Sequence, residues 1–472
     1  MSEGLHEECG VFGIYSNEDI DIAQDIYLAL YALQHRGQES AGIAVNCNGI
    51  IKSRKGEGLT PDVFNEKILD ELSGANFGIG HVRYSPGQKS ESNNTQPLVI
   101  RYIKGAMAIA ANSAITNTSE LKSRLEEGGA IFQTSSDAEI IAYIIARARI
   151  HSGSIEKAVI EAIKSVKGAY SLVMMSPQKL IAVRDPQGFR PLSIGKIGDS
   201  YCVASETCAF DSLGAEFVRD VEPGEVIMIN EDGLHSYRDN CFGRSSTCVF
   251  EFVYFARPDS VIEGQSVHFA RQNAGRFLAK NHAVDADIVI GVPDSGLDAA
   301  LGYANESGIP YGIGFIKNRY VGRTFIQTKQ KTREKSVGIK LNVLAAAVKG
   351  KRVVLVDDSI VRGTTSANIV QNLRAAGATE VHLRISSPPF LHPCYFGTDI
   401  DAREKLIAHK RSIESIRERI GADTLGYLSI DDIKQIAPDA KCSFCYACFT
   451  GDYPIKVLDE KYSDKYMAAI EK

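Results

Sequence analysis

The sequence carries no surplus of positive charge: 53 Lys and Arg stand against 58 Asp and Glu, for a formal charge of −5 at pH 7. That balance gives no support to a nucleic-acid surface or a polybasic membrane patch. No apolar run approaches the length needed to span a bilayer. The opening residues MSEGLHEE lack the basic start and apolar centre of a secretory signal. Internal repeats and low-complexity segments are also missing. Composition is ordinary for a globular protein, with 44% hydrophobic and 24% charged residues. At 472 residues the chain is too long for one comfortable core, so two or more domains are expected. Ten cysteines without a signal peptide point to a reducing cytosol, where thiols serve chemistry or metals rather than disulfides.

The two halves are patterned differently. The first alternates short β-rich runs with polar turns: CGVFGIYS, SAGIAVNC, FGIGHVRYS, AMAIAANSA, SLVMMS, LIAVRD and YCVASE. Two helical patterns interrupt them. One covers about residues 21–34; the other begins at Ser136, with Glu139 three positions later as a capping box. Many strands with few long helices predict sheets covered by helices. In the second half, the strands 287–292, 352–357 and 381–386 alternate with helical stretches, which predicts a doubly wound parallel sheet. The change of character places a domain boundary near residues 235–250.

The run VVLVDDSIVRGTT at 353–365 is the most specific stretch. Val353 to Val356 read as a buried parallel strand. Asp357 and Asp358 stand at its carboxyl end, Arg362, Gly363, Thr364 and Thr365 form a loop, and TSANIVQNLRAAGA resumes as an amphipathic helix. Ligands of open α/β sheets bind at the carboxyl ends of strands, and helix N-termini attract phosphate. Threonine hydroxyls add donors, Gly363 permits close backbone approach, and the acid pair suits ribose hydroxyls or a hard cation such as Mg²⁺. This order of residues resembles the phosphoribosylpyrophosphate (PRPP) signature of the phosphoribosyltransferases.

Cys9, in ECGVFGI, follows an acidic octapeptide. On composition alone it is a buried cysteine opening a strand. Removal of Met1 to Glu8 would leave it with both a thiol and an α-amine, a self-contained nucleophile and base. The motifs CGVFGI, LQHRGQESAGIAV, IGHVRYS and FQTSSDAE occur in the order and spacing of the N-terminal-nucleophile glutamine amidotransferases. Together with SETCAFD, VEPGE, YFARPDS, GVPDSG, IKNRYVGRTFIQ, ISSPP and CFTGDYP, they make the chain resemble the glutamine PRPP amidotransferase family almost end to end. The resemblance implies an N-terminal-nucleophile αββα sandwich domain at 9–240, after a propeptide at 1–8. A type I phosphoribosyltransferase domain with a C-terminal cysteine cluster is implied at 241–472.

The implied chemistry is transfer of ammonia from glutamine to C1 of PRPP, which opens purine biosynthesis. Cys9 would attack the glutamine amide, Arg83 would bind the glutamine carboxylate, and Asp137 would hold the α-amine. Taken without the family, Arg83 reads as a surface ion pair and Asp137 as a second acceptor at the helix cap. One departure stands out. Where the family has a His-Asn-Gly-Asn run that forms the oxyanion hole, this chain has Ala111-Asn112-Ser113-Ala114. Asn112 keeps one donor, but a side chain at Ser113 raises the expectation of a twisted peptide or a crowded oxyanion. Two readings compete: a slightly rebuilt, working oxyanion hole, or an ammonia-dependent or catalytically silent PRPP-binding homologue with impaired glutaminase.

For the second half, the resemblance implies PRPP contacts from Lys317, Arg319, Arg323, Asp357, Asp358, Arg362, Gly363, Thr364 and Thr365. It places Mg²⁺ near Ser295, Asp357 and Asp358. Pro293 to Gly296 would form the pyrophosphate-binding turn, though a plain αL turn at Gly296 also suits a strand–helix corner. Cys442, Cys445 and Cys448 are spaced C-x₂-C-x₂-C, and the spacing alone leaves zinc and iron–sulfur equally open. Matching the family's iron–sulfur branch selects Cys248, Cys394, Cys445 and Cys448 as [4Fe–4S] ligands, leaves Cys442 spare and gives the cluster a stapling role. Cys47, Cys202, Cys208 and Cys241 read as core or surface thiols. A homotetramer, feedback inhibition by purine nucleotides and a cytoplasmic location complete the implied picture, with no nucleic-acid or membrane partner.

Overall fold

In two seven- and six-stranded antiparallel sheets, alternate residues of each strand face opposite layers, and this period of two builds the first half of the protein. The computed structural model describes residues 9–18, 20–84, 92–243, 245–318, 341–398, 400 and 402–457. At the centre of the larger sheet the strand Gly10–Tyr15 lies between Phe77–Arg83 and Ser200–Ala204. Its Val11 and Tyr15 point into the space between the sheets, where they meet Ala108, Ala110, Val173 and Leu180 of the smaller sheet. Its Phe12 and Ile14 point outward beneath the helix Ile22–Ala32. The smaller sheet repeats the rule. In Gly105–Ile115, Ala108 and Ala110 face inward, whereas Met107, Ile109, Ala111 and Ile115 face the helices Thr118–Glu127, Asp137–His151 and Ile155–Ile163. The result is an αββα sandwich, as the β-rich first half and its resemblance imply.

The helix foreseen over 21–34 is capped by the Asp21 side chain, ends at Ala32 and gives way to a 3₁₀ turn at Gln34–Arg36. The helix at 137 differs in detail from its expected capping box. Ser136 caps it by accepting from Ala138 N–H at 3.3 Å, but Glu139 reaches past the cap. Its carboxylate takes the N–H groups of Gln133 (2.9 Å) and Thr134 (2.8 Å), because the preceding loop doubles back and presents those donors first.

The last strand of the sandwich ends at Tyr237, and the second half has its own sheet. Four parallel strands, Ile288–Gly291, Arg352–Asp357, Glu380–Ile385 and Thr424–Tyr427, pair in chain order. Val289, Val354 and Val356 face the helices Val267–Asn281 and Gly296–Ser307. Ile290, Val353 and Leu355 face Thr364–Ala375 and Ile413–Ile420 on the other side. Helices cover both faces, so the sheet is doubly wound. A two-stranded hairpin, Phe315–Lys317 with Leu341–Val343, frames residues outside the described set. Among the described residues no helix is long and apolar enough to cross a membrane.

The helices Val267–Asn281 and Gly296–Ser307 pack so closely that side chains are excluded from their crossing. A methyl group at Gly275 would overlap the Ala299 carbonyl, and one at Gly302 the Gln272 carbonyl. Backbone atoms cannot rotate away as a flexible side chain can. Gly275→Ala should therefore destabilise by roughly 1–3 kcal/mol through overpacking, against the slight gain in helix propensity from alanine. A lowered urea midpoint would show it; an unchanged or raised midpoint would contradict the packing described.

Candidate active sites

Cys9 sits immediately before the strand Gly10–Tyr15, whose first pair is Gly10 with Val82. The pairing brings it to Arg83 and Tyr84, and the Cys9 thiol lies 3.8 Å from the Tyr84 carbonyl. On the next strand Ser40 pairs with Arg83, so Cys9, Arg83 and Ser40 share one end of the large sheet. Two contacts carry that end to the small sheet. His81 bonds the Ala111 carbonyl at 3.2 Å, beside Asn112. Burial pushes the His81 imidazole down to about 3, so it is neutral at pH 7. Asp137 accepts the Ile115 N–H at 2.9 Å and the Thr118 hydroxyl at 3.1 Å, which ties it to the end of the same strand. Cys9 and Arg83 thus share one end of the large sheet, and Asn112 and Asp137 lie along or against the adjoining strand of the small sheet. None of the described hydrogen bonds joins Cys9 directly to Asn112 or Asp137.

This end of the sandwich holds buried polar groups of note. The Ser40 hydroxyl, Arg83 Nη1 and Asn112 Nδ2 are buried without a hydrogen-bond partner among the described residues. Unpaired buried donors cost free energy unless a ligand satisfies them. Arg83 makes no ion pair among the described residues, and Asp137 is not a second cap acceptor but a carboxylate turned onto Ile115 and Thr118. Burial raises the Asp137 carboxyl to about 6, although both hydrogen bonds oppose the rise. Ser40 was not singled out from the sequence. A buried serine in a strand reads like any other, and only the register with Arg83 marks it.

The expectation that Ser113 distorts its surroundings is not met. Ser113 pairs regularly with Tyr170, and it is not among the non-glycine residues with positive φ. Continuing the alternation of the strand, Asn112 shares the inter-sheet face with Ala110, and Ser113 shares the helix face with Ala111 and Ile115. The Ser113 side chain therefore points away from the side on which Asn112 lies.

In the second half the strand Arg352–Asp357 delivers both carboxylates to its carboxyl end, where Asp357 and Asp358 are buried. Burial first, then the neighbouring Asp358, raises the Asp357 carboxyl well above its usual range. Burial also raises Asp358, opposed by hydroxyl bonds from Ser295 (2.5 Å) and Ser359. Lys317 forms an ion pair with Asp294, which draws the hairpin onto the Pro293–Gly296 turn. Gly296 is not in an αL turn. It opens the helix Gly296–Ser307, and lacks a side chain because a methyl there would crowd the Val356 carbonyl. Gly363 does need its freedom: φ is 82°, and a methyl group would overlap Ile407. It caps the helix Thr364–Ala375 without a side-chain bond, leaving Thr364 and Thr365 exposed at a donor-rich N-terminus. Ser295, Lys317, Asp357 and Asp358 are brought together beside Arg362 to Thr365. Arg319 and Arg323 lie outside the described residues.

The C-terminal cysteines fall into two surroundings. Cys248, Cys394, Cys445 and Cys448 line one apolar cavity with Phe189, Phe250, Phe396 and Tyr453, whereas Cys442 lines a separate polar cleft. Thr247–Cys248 pairs in parallel with Phe444–Cys445, and the N–H groups of Leu391 and His392 bond the Cys448 carbonyl at 3.1 Å. The Phe396 N–H donates to Cys394 Sγ at 3.3 Å. Burial raises the Cys445 thiol to about 12. Burial and the neighbouring Cys394, Cys248 and Cys445 raise Cys448 well above the ordinary thiol range. No three His, Cys, Asp or Glu side chains among the described residues form a group for a single metal ion.

A glutamine amidotransferase domain matches residues 81–212 and a phosphoribosyl transferase domain matches residues 269–386. Amidophosphoribosyltransferase of Bacillus subtilis is 49% identical over 97% of this chain and 96% of its own length. The Archaeoglobus fulgidus amidophosphoribosyltransferase is 47% identical over 96% and 99%. The solved B. subtilis glutamine PRPP amidotransferase, complexed with ADP and GMP, superposes with a TM-score of 0.89 at 48% identity, covering 96% of this chain and 99% of that one. A structure described as the allosteric regulatory enzyme of purine biosynthesis gives 0.90 at 48% identity, covering 96% and 97%. A nitrogen-donating sandwich joined to a doubly wound transferase domain defines the class: a glutamine-dependent phosphoribosyltransferase. The chain belongs to the amidophosphoribosyltransferase family, which transfers glutamine-derived ammonia to PRPP in the first step of purine biosynthesis.

The buried acid pair makes a testable cost. A carboxyl raised in the folded state stabilises the fold when protonated, and that contribution is lost as pH rises through the folded value. Asp357→Asn keeps the acceptor for the Asp358 N–H (3.0 Å) and removes one of two adjacent charges. Its thermal midpoint should exceed that of the parent by a few degrees at pH 8, with the gap closing towards pH 4. A variant less stable at pH 8 would contradict the assignment.

Proposed function

We propose that glutamine nitrogen enters at Cys9 and leaves on the phosphoribosyl group at Asp357 to Thr365. With residues 1–8 removed, the α-amine of Cys9 takes the thiol proton, and the thiolate attacks the glutamine amide carbon. Asn112 Nδ2 donates to the developing oxyanion, Arg83 receives the substrate carboxylate and Asp137 its α-ammonium. Collapse of the tetrahedral adduct releases ammonia and leaves a thioester, which water hydrolyses to glutamate. At the second site the ammonia lone pair attacks C1 of PRPP as the C1–O bond breaks. Lys317, Arg362 and the Thr364–Thr365 helix terminus receive the charge on departing pyrophosphate, with Arg319 and Arg323 assigned to the same task. The products are 5-phosphoribosylamine, pyrophosphate and glutamate.

The observation that carries this reading is the trio of groups unpaired among the described residues, Ser40 Oγ, Arg83 Nη1 and Asn112 Nδ2, at the sheet end where Cys9 lies. They suit a ligand with a carboxylate and an amide. The alternative, a silent or ammonia-only homologue, has nothing in its favour at Ser113, which faces away.

Asp357, Asp358 and Ser295 are hard oxygen donors that fit Mg²⁺, which would neutralise pyrophosphate charge. Cys248, Cys394, Cys445 and Cys448 fit a [4Fe–4S] cluster: their shared cavity is apolar and one sulfur already receives a backbone N–H. The cluster would staple residues 248, 394 and 445–448 without redox work, since neither half-reaction moves electrons. We extend to this chain a homotetramer, a cytoplasmic location and inhibition by purine nucleotides; the B. subtilis relative was solved with ADP and GMP.

The decisive assay compares glutamine with ammonium salt as nitrogen donor in the presence of PRPP. Wild type forms glutamate and phosphoribosylamine, and Cys9→Ala loses glutamate formation by more than about 10³-fold while ammonium-dependent product persists. Glutamate no higher than in Cys9→Ala would end the reading. The kcat/KM for glutamine should also fall as pH drops through about 6, because protonation removes the Asp137 charge that the α-ammonium needs. Anaerobically purified protein should contain about four iron atoms and a broad visible absorption. Stoichiometric zinc in colourless protein would replace the cluster assignment.

A further inference from the structure

Asn112 stands where the smaller sheet loses a neighbouring strand. Leu98–Tyr102 pairs with Gly105–Ile115 only as far as Leu98 with Ile109, and Pro97 has no N–H to carry the ladder further. Beyond that point Gly105–Ile115 keeps its other neighbour, Gly168–Met175, with Ala111 opposite Leu172. The outer edge of Ala111 would therefore present a buried N–H and a buried carbonyl with no strand to meet them. The Gln96 side chain meets both. Its Oε1 accepts the Ala111 N–H at 2.7 Å, and its Nε2 donates to the Ala111 carbonyl at 3.4 Å. The Ala111 N–H settles which end of the amide is oxygen. From the larger sheet, His81 bonds the same carbonyl at 3.2 Å.

Gln96 is anchored in turn. It is 4% exposed, and a methyl group at Gly42 would overlap its carbonyl, so its backbone lies directly against the larger sheet. Lys55, which pairs with Gly42, reaches the Thr95 carbonyl with its ammonium group. Asn94 Oδ1 accepts the Ser135 N–H at 2.9 Å, and its Nδ2 donates to the Ser135 hydroxyl at 2.7 Å. Ser135 leads directly into the Ser136 cap of the helix Asp137–His151. Residues 94–96 are thus tied to both sheets and to the loop before Asp137, which leaves Gln96 little room to shift.

A donor serves an oxyanion only when it is aimed within about 0.5 Å and roughly 10–20° of the productive geometry. The Ala111 carbonyl and the Asn112 nitrogen belong to one planar peptide unit. Holding that carbonyl fixes the plane, and with it the direction in which the Asn112 side chain leaves the strand. We infer that Gln96 is a positioning residue for the glutamine reaction, holding the Ala111–Asn112 peptide so that Asn112 Nδ2 points at the oxygen of the tetrahedral adduct. The inference rests on the assignment of Asn112 as the oxyanion donor. The oxyanion exists in the adduct and not in bound glutamine, so the clamp raises kcat and leaves ground-state binding alone.

The test separates kcat from KM for glutamate formation in full-length enzyme with PRPP present, alongside ammonium-dependent synthesis. Gln96→Leu keeps the bulk and removes both bonds to Ala111. Its kcat should fall by about 10–100-fold, while KM for glutamine and ammonium-dependent synthesis stay within about twofold of wild type. Gln96→Glu still accepts the Ala111 N–H but, when ionised, has no donor for the carbonyl; its kcat should fall less, and it serves alone if the Leu variant does not fold. Asn112→Ala should lose about 10²–10³-fold in kcat, and adding Gln96→Leu to it should cost less than about twofold more, because no donor remains to be aimed. A full kcat in the folded Gln96 variants overturns the inference, as does a raised KM with kcat unchanged. So does a double variant in which the two losses multiply, the result expected of a plug that merely fills the sheet edge. An unchanged kcat in Asn112→Ala would overturn the oxyanion assignment itself, and this inference with it.

Discussion

Buried arginines at the seam between the two halves are the constraint on which the rest of the structure depends. Arg36, Arg184 and Arg190 are almost completely excluded from solvent, and each reaches from the sandwich to the other half. Arg36 meets Glu251, Arg184 meets Glu263 at 2.5 Å, and Arg190 bonds the Phe396 carbonyl. A buried charge is tolerated only when its partners are in place, and removing one partner typically costs about 3–5 kcal/mol. The seam therefore admits few relative positions of the halves. An apolar seam of equal area would bind as well but would slide more easily.

The same logic, in reverse, describes the two sites. At the seam Arg36, Arg184 and Arg190 each meet a carboxylate, whereas among the described residues the sites hold unpaired donors at Ser40, Arg83 and Asn112, and two acids pressed together at Asp357 and Asp358. Both kinds of imbalance are the sort a polar or charged ligand relieves. The apolar layers offset the cost of that imbalance, because alternation along the central strands buries both faces of both sheets.

Much of this was legible in the order of residues. Alternation by two foretold the sandwich, and short apolar runs before polar corners foretold the parallel sheet, because these signals are local. The loop after Val356 was legible for the same reason: strand, acids, glycine and helix follow one another without interruption. Glu251 was not, since its partner Arg36 lies 215 residues away and a buried arginine is written like a surface one. Ser40 escaped notice because its significance is its register with Arg83. Ser113 was misjudged, since the replacement of a glycine reads as trouble until the strand shows which face the new side chain takes. The reach of Glu139 past its cap depends on how the loop before it folds, which no short pattern encodes.

The pairing of Thr247–Cys248 with Phe444–Cys445 has a consequence for how the protein is made. The second half begins and closes with strands nearly two hundred residues apart in the chain, so it cannot finish until its last segment leaves the ribosome. The sandwich, complete by Tyr237, is synthesised earlier, and at about 5–20 residues per second the interval runs to tens of seconds. Arg36 receives Glu251 early in that interval, but Arg190 must wait for the Phe396 carbonyl. The newborn chain therefore carries a sandwich whose strands are all synthesised while one side of its seam, the Phe396 carbonyl that Arg190 needs, is still to be made.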